Sequence, residues 1–146
     1  MSLRKRGKYW YGDEQLDIRG ELRRYSGLNG YPAEHFAEVE CACAARVFTL
    51  ALDEDAGVAV RTCVDCAKSV TMCDGEDYLE DAELEERSCV CGRDQFELTV
   101  GVSLYEDSQD VRWIYVGARC PACGLTGCYG DWKNEYPDFQ ALLSRA

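Results

Sequence analysis

Ten cysteines stand at positions 41, 43, 63, 66, 73, 89, 91, 120, 123 and 128, and their spacing repeats. The first set runs Cys41-x-Cys43, nineteen residues, Cys63-x-x-Cys66, six residues, Cys73. The second runs Cys89-x-Cys91, twenty-eight residues, Cys120-x-x-Cys123, four residues, Cys128. The fifth cysteine opens a similar tail each time, Cys73-Asp-Gly-Glu and Cys128-Tyr-Gly-Asp. Two copies are too few for a solenoid, so the pattern predicts duplication of one small cysteine-built module. A chain of 146 residues holds one ordinary domain or two small ones. It is too short for a barrel enzyme or a full doubly wound dinucleotide-binding domain.

The residues between the cysteine pairs predict β-hairpins. Phe96, Leu98, Val100, Val102 and Leu104 alternate with Glu97, Thr99, Gly101, Ser103 and Tyr105, the period of a half-buried strand. Glu106 to Asp110 is a polar turn, and Val111 to Ala118 returns as a second strand rich in β-branched and aromatic residues. In the first copy Phe48, Leu50 and Leu52 give the apolar face of a shorter strand. Asp53 to Gly57 turns the chain and Val58 to Thr62 brings it back. Each module therefore reads as a cysteine knuckle, a hairpin and a second knuckle.

Paired cysteines point to metal rather than disulfides. The basic stretch Met1 to Lys8 is followed by no apolar run, so no secretory leader is expected and a reducing, cytoplasmic compartment is. Zinc takes four thiolates in a tetrahedron, at ~2.3 Å each. The hairpins carry one knuckle back beside the other, which assigns Cys41, Cys43, Cys63 and Cys66 to one site and Cys89, Cys91, Cys120 and Cys123 to a second. Closed four-cysteine sites prefer zinc to iron, giving two structural zinc ions per chain. Such a site leaves no coordination position for a catalytic water, and its binding free energy is largely folding free energy. Each zinc on four thiolates adds about −2 to the charge, taking the chain from −11 to roughly −15.

At Cys120-Pro-Ala-Cys123-Gly124 the chain resembles the C-P-x-C-G knuckle of zinc ribbons and rubredoxin-like proteins. The resemblance extends, at the level of tandem modules, over residues 41–66 and 89–123. Glycine after the second cysteine, as at Gly124 and Gly92, suits a left-handed backbone. Two departures stand out: both first knuckles are C-x-C, and Ala44 and Ala67 occupy the glycine position.

Cys73 and Cys128 remain. They read as small buried hydrophobes, as additional ligands, or as a disulfide between modules. The C-x-x-C pairs could also read as redox motifs, but such motifs open a helix after a strand, and here each pair ends a hairpin. His35, the single histidine, has no glycine-elbow motif nearby, and the closest cysteine in sequence, Cys41, belongs to a metal pair. No phosphate loop, nucleotide fingerprint or H-E-x-x-H is present. The chain is therefore expected not to be an enzyme.

The flanks predict short helices. Asp13 to Tyr25 is a candidate helix capped by Asp13, with Ile18, Leu22 and Tyr25 on one face. Ser26 to Pro32 reads as a loop, and residues 33–37 as one helical turn. Residues 74–86 hold eight acids and no base and read as an acidic helix or connector. Pro137 is placed to start a helix that turns Phe139, Leu142 and Leu143 inward. The organisation expected is an N-terminal helical and loop segment (1–40), a first module (41–73), an acidic connector (74–88), a second module (89–128) and a C-terminal tail with a short helix (129–146). The fold class is mainly β with short helices, a small metal-stabilised α+β protein built on duplicated zinc-ribbon hairpins. Hairpins alone are marginal in water, so the two modules are expected to pack face to face, to be covered by the N-terminal segment, or to bury their exposed face by dimerisation.

Charge bears on partners. Residues 1–40 are neutral overall, with seven bases and seven acids, whereas residues 41–88 carry four bases and twelve acids. An acidic surface repels phosphate, which disfavours nucleic acid and favours a basic protein partner. No membrane span is expected. The leading expectation is a zinc-binding, non-enzymatic interaction module: an adaptor, a regulator or an antitoxin-like inhibitor, with Asp77, Glu80, Asp81, Glu83, Glu85 and Glu86 facing the partner. The alternatives are a nucleic-acid- or transcription-associated zinc ribbon using Arg4, Lys5, Arg6 and Lys8 with Trp113 or Tyr115, and a metal-handling or thiol-redox protein.

Overall fold

The computed structural model describes residues 3–146; Met1 and Ser2, the start of the N-terminal segment, lie outside the described residues. In chain order the elements are β1 (Arg4–Arg6), β2 (Tyr9–Tyr11), α1 (Ile18–Asn29), β3 (His35–Glu38), β4 (Phe48–Asp53), β5 (Val58–Cys63), β6 (Ser69–Thr71), β7 (Glu85–Glu86), β8 (Glu97–Leu104), β9 (Val111–Arg119), β10 (Leu125–Lys133) and α2 (Phe139–Leu143). They form a six-stranded sheet, ordered β1-β2-β10-β9-β8-β3, and a four-stranded sheet, ordered β6-β5-β4-β7. Every strand pairing among the described residues is antiparallel. The chain is mainly β with short helices, and the two predicted hairpins are β4–β5 and β8–β9.

The repeat is visible as a local twofold relation. Phe48 and Phe96 each stand seven residues after the first cysteine of their set. They form an isolated antiparallel bridge and exchange both backbone hydrogen bonds at 2.8 Å. An antiparallel bridge between equivalent residues places a twofold axis between them. Around that axis Phe48, Leu50 and Leu52 of one hairpin share a core with Phe96, Leu98 and Val100 of the other, all fully or almost fully buried. Burying such side chains is worth about 1.5–3 kcal/mol each.

The opposite face of the six-stranded sheet carries α1. Ile18 and Leu22 are completely buried there, and the helix comes so close that glycine is required beneath it. A Cβ on Gly117 would stand 2.5 Å from Ile18 Cγ2 and 3.0 Å from Leu22.

Several local expectations are corrected. The helix does not run from Asp13 to Tyr25. A 3-10 turn at Gln15–Asp17 precedes α1, and the Asp17 carboxylate, not that of Asp13, accepts the N–H groups of Asp13 and Glu14. The expected loop at Ser26 is helical as far as Asn29, because Ser26 is buried with its hydroxyl donating to Arg23 O and accepting the Ala33 N–H. Gly30, at φ 88°, ends the helix. Residues 33–37 are not a helical turn. His35 to Glu38 instead covers the outer edge of β8, where it satisfies backbone groups that would otherwise lie bare. The acidic stretch is not a regular helix: a 3-10 helix at Gly75–Asp81 is followed by β7 on the edge of β4. The C-terminal helix begins one residue after its cap, Asp138, whose carboxylate accepts the Gln140 and Ala141 N–H groups; Phe139 and Leu142 are buried as expected. No helix among the described residues is long and apolar enough to cross a membrane.

Candidate metal centres

The fold brings the predicted cysteines together in two groups of four, Cys41, Cys43, Cys63 and Cys66, and Cys89, Cys91, Cys120 and Cys123. Within each group all four sulfurs lie within 4.8 Å of one another. The closest approaches are 3.6 Å for Cys41–Cys66 and for Cys43–Cys63. In the second group they are 3.5 Å for Cys89–Cys123 and 3.7 Å for Cys91–Cys120. A disulfide needs about 2.05 Å. A tetrahedron with 2.3 Å metal–sulfur bonds has edges of roughly 3.8 Å, close to these separations. The donor set and its spacing therefore fit a tetrahedral metal ion.

Each group is assembled from two turns with the same hydrogen-bonding plan. In the C-x-x-C knuckles the Cys63 N–H donates to Lys68 O and the Ala67 N–H to Cys63 O; the Cys120 N–H donates to Leu125 O and the Gly124 N–H to Cys120 O. The C-x-C knuckles make the equivalent pair with each loop one residue shorter: Cys41 to Ala45 and Ala44 to Cys41, then Cys89 to Arg93 and Gly92 to Cys89. The residue after the second cysteine is left-handed in all four turns, at φ 75° for Ala44, 64° for Ala67, 94° for Gly92 and 83° for Gly124. The two alanines thus adopt the glycine conformation despite the Cβ.

Each knuckle buries one sulfur-bearing residue and exposes the other. Cys41, Cys63, Cys89 and Cys120 are buried; Cys43, Cys66, Cys91 and Cys123 face outward. Thiols this close resist ionising together. Cys41 is drawn down to about 7, chiefly by the Cys43 N–H. Cys43 gains from the Ala45 N–H, but the thiols of Cys41 and Cys63 leave it at about 12. In the second group the Arg93 N–H draws Cys91 down to about 7, while burial holds Cys89 at about 12. A divalent cation at the centre removes this conflict by favouring all four thiolates.

The surroundings of the two groups differ. Buried Arg61 lies over the Phe48 ring at 4.9 Å and donates to Ala146 O. Burial lowers its pKa, while Cys41 and Cys63 oppose that shift. Tyr129 stands beside the second group; burial first, then Cys89, Cys120 and Cys123, raise its hydroxyl pKa.

The remaining candidates separate from these centres. Cys73 and Cys128 are free thiols and join neither group. Cys73 is buried and pushed up to about 12 by that burial. The Cys128 thiol donates to Gly130 O and is likewise raised by burial. The His35 ring stacks on Phe139 at 4.2 Å. The two aromatic residues considered for base stacking are engaged internally. Tyr115 is fully buried, donating to Tyr31 O. Trp113 carries the Tyr31 ring at 4.6 Å and donates to Asp131.

Asp77, Glu80, Asp81, Glu83, Glu85 and Glu86 are all exposed. They are spread over the 3-10 helix, the following loop and β7 rather than one helical face. Three apolar side chains that the sequence reading did not single out as exposed lie among them: Tyr78, Leu79 and Leu84, at 51%, 38% and 39% exposure. A run of acids interrupted by apolar residues with no helical period was the available signal. No protein-family model, curated protein or solved structure matches this chain.

Proposed function

We propose that this protein is a non-enzymatic, zinc-stabilised interaction module whose acidic strip, residues 76–86, docks a basic partner protein. The observation that carries the reading is the exposure of Tyr78, Leu79 and Leu84 among the acids of that strip. Exposed apolar and aromatic side chains set in one sign of charge suit a docking surface, the apolar groups supplying burial and the acids steering. Two structural zinc ions, one in each four-cysteine group, hold the hairpins that display it. An adaptor, a regulatory subunit and an antitoxin-like inhibitor covering a basic active site all have this form, and a reducing, cytoplasmic setting keeps the thiols free for metal.

The test has two parts. Protein purified without added metal is weighed by native mass spectrometry and its element identified by plasma emission; two zinc ions per chain are expected. A partner captured by the wild type is then measured against the variant E80K/D81K/E83K. Slower association with a weaker salt dependence supports the strip, and unchanged association at every salt concentration removes it. The outward position of Cys43, Cys66, Cys91 and Cys123 favours a second reading, metal handling or thiol redox. Zinc that a strong chelator cannot extract from the folded protein counts against that reading.

A further inference from the structure

The acidic sum hides a basic edge. Arg4 pairs with Asp13 at 2.9 Å, but among the described residues no carboxylate pairs with Lys5, Arg6 or Lys8. Their hairpin borders a gap in the six-stranded sheet. β2 pairs with β10 only at Leu125 and Thr126, because the turn at Gly7, φ 65°, takes the chain away. From Gly127 onward no described strand covers that edge of β10, while β9 covers the other edge as far as Lys133. Gly12 N–H donates to Gly124 O on the β2 side, and Cys120 N–H donates to Leu125 O on the β9 side. Continuing this alternation turns the backbone N–H and C=O of Cys128 to the open side. A bulge between Cys128 and Gly130 and the Glu54 carboxylate, which accepts the Asp131 N–H at 3.3 Å, close the far end.

The gap is a cleft of about 440 Å³ walled by Tyr9, Trp10, Tyr25 and Tyr129. Val90, 68% exposed, stands at its rim. Its floor is small: a Cβ on Gly127 would meet only Tyr129, at 3.7 Å. A bare strand edge offers hydrogen bonds at strand spacing, which an extended polypeptide matches and a nucleic acid does not. Lys8, which lies over the Tyr9 ring and has no carboxylate partner among the described residues, lines the mouth; Arg24 beside it is balanced by Glu21, so the wall keeps one uncompensated cation that favours a carboxylate on the occupant.

We propose that this cleft takes an extended acidic segment of a partner protein, added as a strand to β10 at Gly127–Tyr129, with apolar or aromatic side chains between the aromatic walls and a carboxylate facing Lys8. The site is separate from the acidic strip and of opposite sign, so it stands or falls independently of the reading above.

The test uses the full-length zinc-loaded protein and a short fluorescein-labelled peptide in which Glu alternates with Phe and Val. Three comparison probes are its Lys-for-Glu counterpart, the same acidic peptide N-methylated at alternate residues, and a short oligothymidylate. Fluorescence anisotropy is expected to show the acidic peptide binding at least about tenfold more tightly than each comparison probe, with Lys8→Glu losing about tenfold. Trp10→Ala weakens binding as well, and both variants keep the wild-type zinc content. Amide NMR shifts concentrate at residues 127–129 and the Trp10 indole, and E80K/D81K/E83K leaves the affinity unchanged. Four results overturn the proposal: no binding of the acidic peptide, equal binding of the N-methylated peptide, preferential binding of oligothymidylate, or self-association of the protein through this edge.

Discussion

The left-handed residue after each knuckle offers a direct test of how backbone geometry sets metal affinity. Gly92 and Gly124 share the conformation but not the surroundings. A Cβ on Gly92 meets nothing within 4 Å, whereas on Gly124 it stands 3.0 Å from Gly12 O. That carbonyl cannot easily retreat, because Arg119 Nε donates to it at 2.9 Å and the Gly12 N–H is itself bound to Gly124 O. A left-handed alanine costs about 1–2 kcal/mol, and the stiffer unfolded chain returns about 0.4–1 kcal/mol. Gly92→Ala should therefore lose about 1 kcal/mol, roughly fivefold in zinc affinity. Gly124→Ala carries the same loss plus about 1–2 kcal/mol of overpacking, roughly 30- to 150-fold in all. The reverse changes, Ala44→Gly and Ala67→Gly, should tighten the first site by up to about 1 kcal/mol. Competition with a chromophoric chelator reads the affinity, and native mass spectrometry counts the zinc. The second-site variants should accumulate a species with one zinc. Equal losses for Gly92→Ala and Gly124→Ala, or weakening of the first site by Ala44→Gly, would refute the reasoning.

Further outcomes follow from other parts of the molecule. Gly117→Ala, forced against Ile18, should destabilise by about 1–3 kcal/mol in urea unfolding, while Gly127→Ala should change stability by less than about 0.5 kcal/mol; in an Ile18→Ala background the Gly117→Ala loss should largely vanish. Stripping the metal with a chelator should abolish cooperative unfolding, and Cys73→Ala with Cys128→Ala should still retain two zinc ions. Native alkylation should leave Cys73 unmodified until the chain unfolds. The Asp53 carboxylate accepts backbone N–H groups from Glu83, Ala56 and Asp55, which hold its pKa below the ordinary carboxylate value. Its contribution is therefore present at neutral pH and lost as pH falls through that lowered pKa, so Asp53→Asn should differ from wild type at pH 7 and converge with it in acid.

Both hairpins and both cysteine groups are legible in the sequence because each rests on local information. Alternation marks β8 and the apolar face of β4, β-branched and aromatic residues mark β9, the turn at Asp53–Gly57 implies β5, and paired spacing marks the knuckles. What escaped depends on partners distant in sequence. β3 is a strand only because β8 has an edge to be covered. β10 follows Cys123 directly and carries Gly127, Cys128 and Gly130, which blur its alternation. The basic run at the N-terminus pairs as a hairpin on β10, a contact between residues more than a hundred positions apart. Ser26 and Gly27 look like a helix stop, yet buried hydrogen bonds of Ser26 carry α1 through them. The sequence likeness of the tails after Cys73 and Cys128 does not survive as equivalence. Aligning the knuckle residues Ala67 and Gly124 sets Cys73 against Gly130, and Cys128 against Thr71.

The Phe48–Phe96 bridge has a consequence for how the two halves can diverge. In a symmetric dimer of separate chains, each substitution appears on both sides of the axis, so a patch useful on one side must also be tolerated on the other. Here the axis runs within one polypeptide, and that constraint lapses. One half can carry alanine where the other carries glycine, and a six-stranded sheet roofed by a helix can stand against a four-stranded sheet edged with acids. The axis preserves a shared core while the outer surfaces become unlike, so each half is free to change its surface without a matching change in the other.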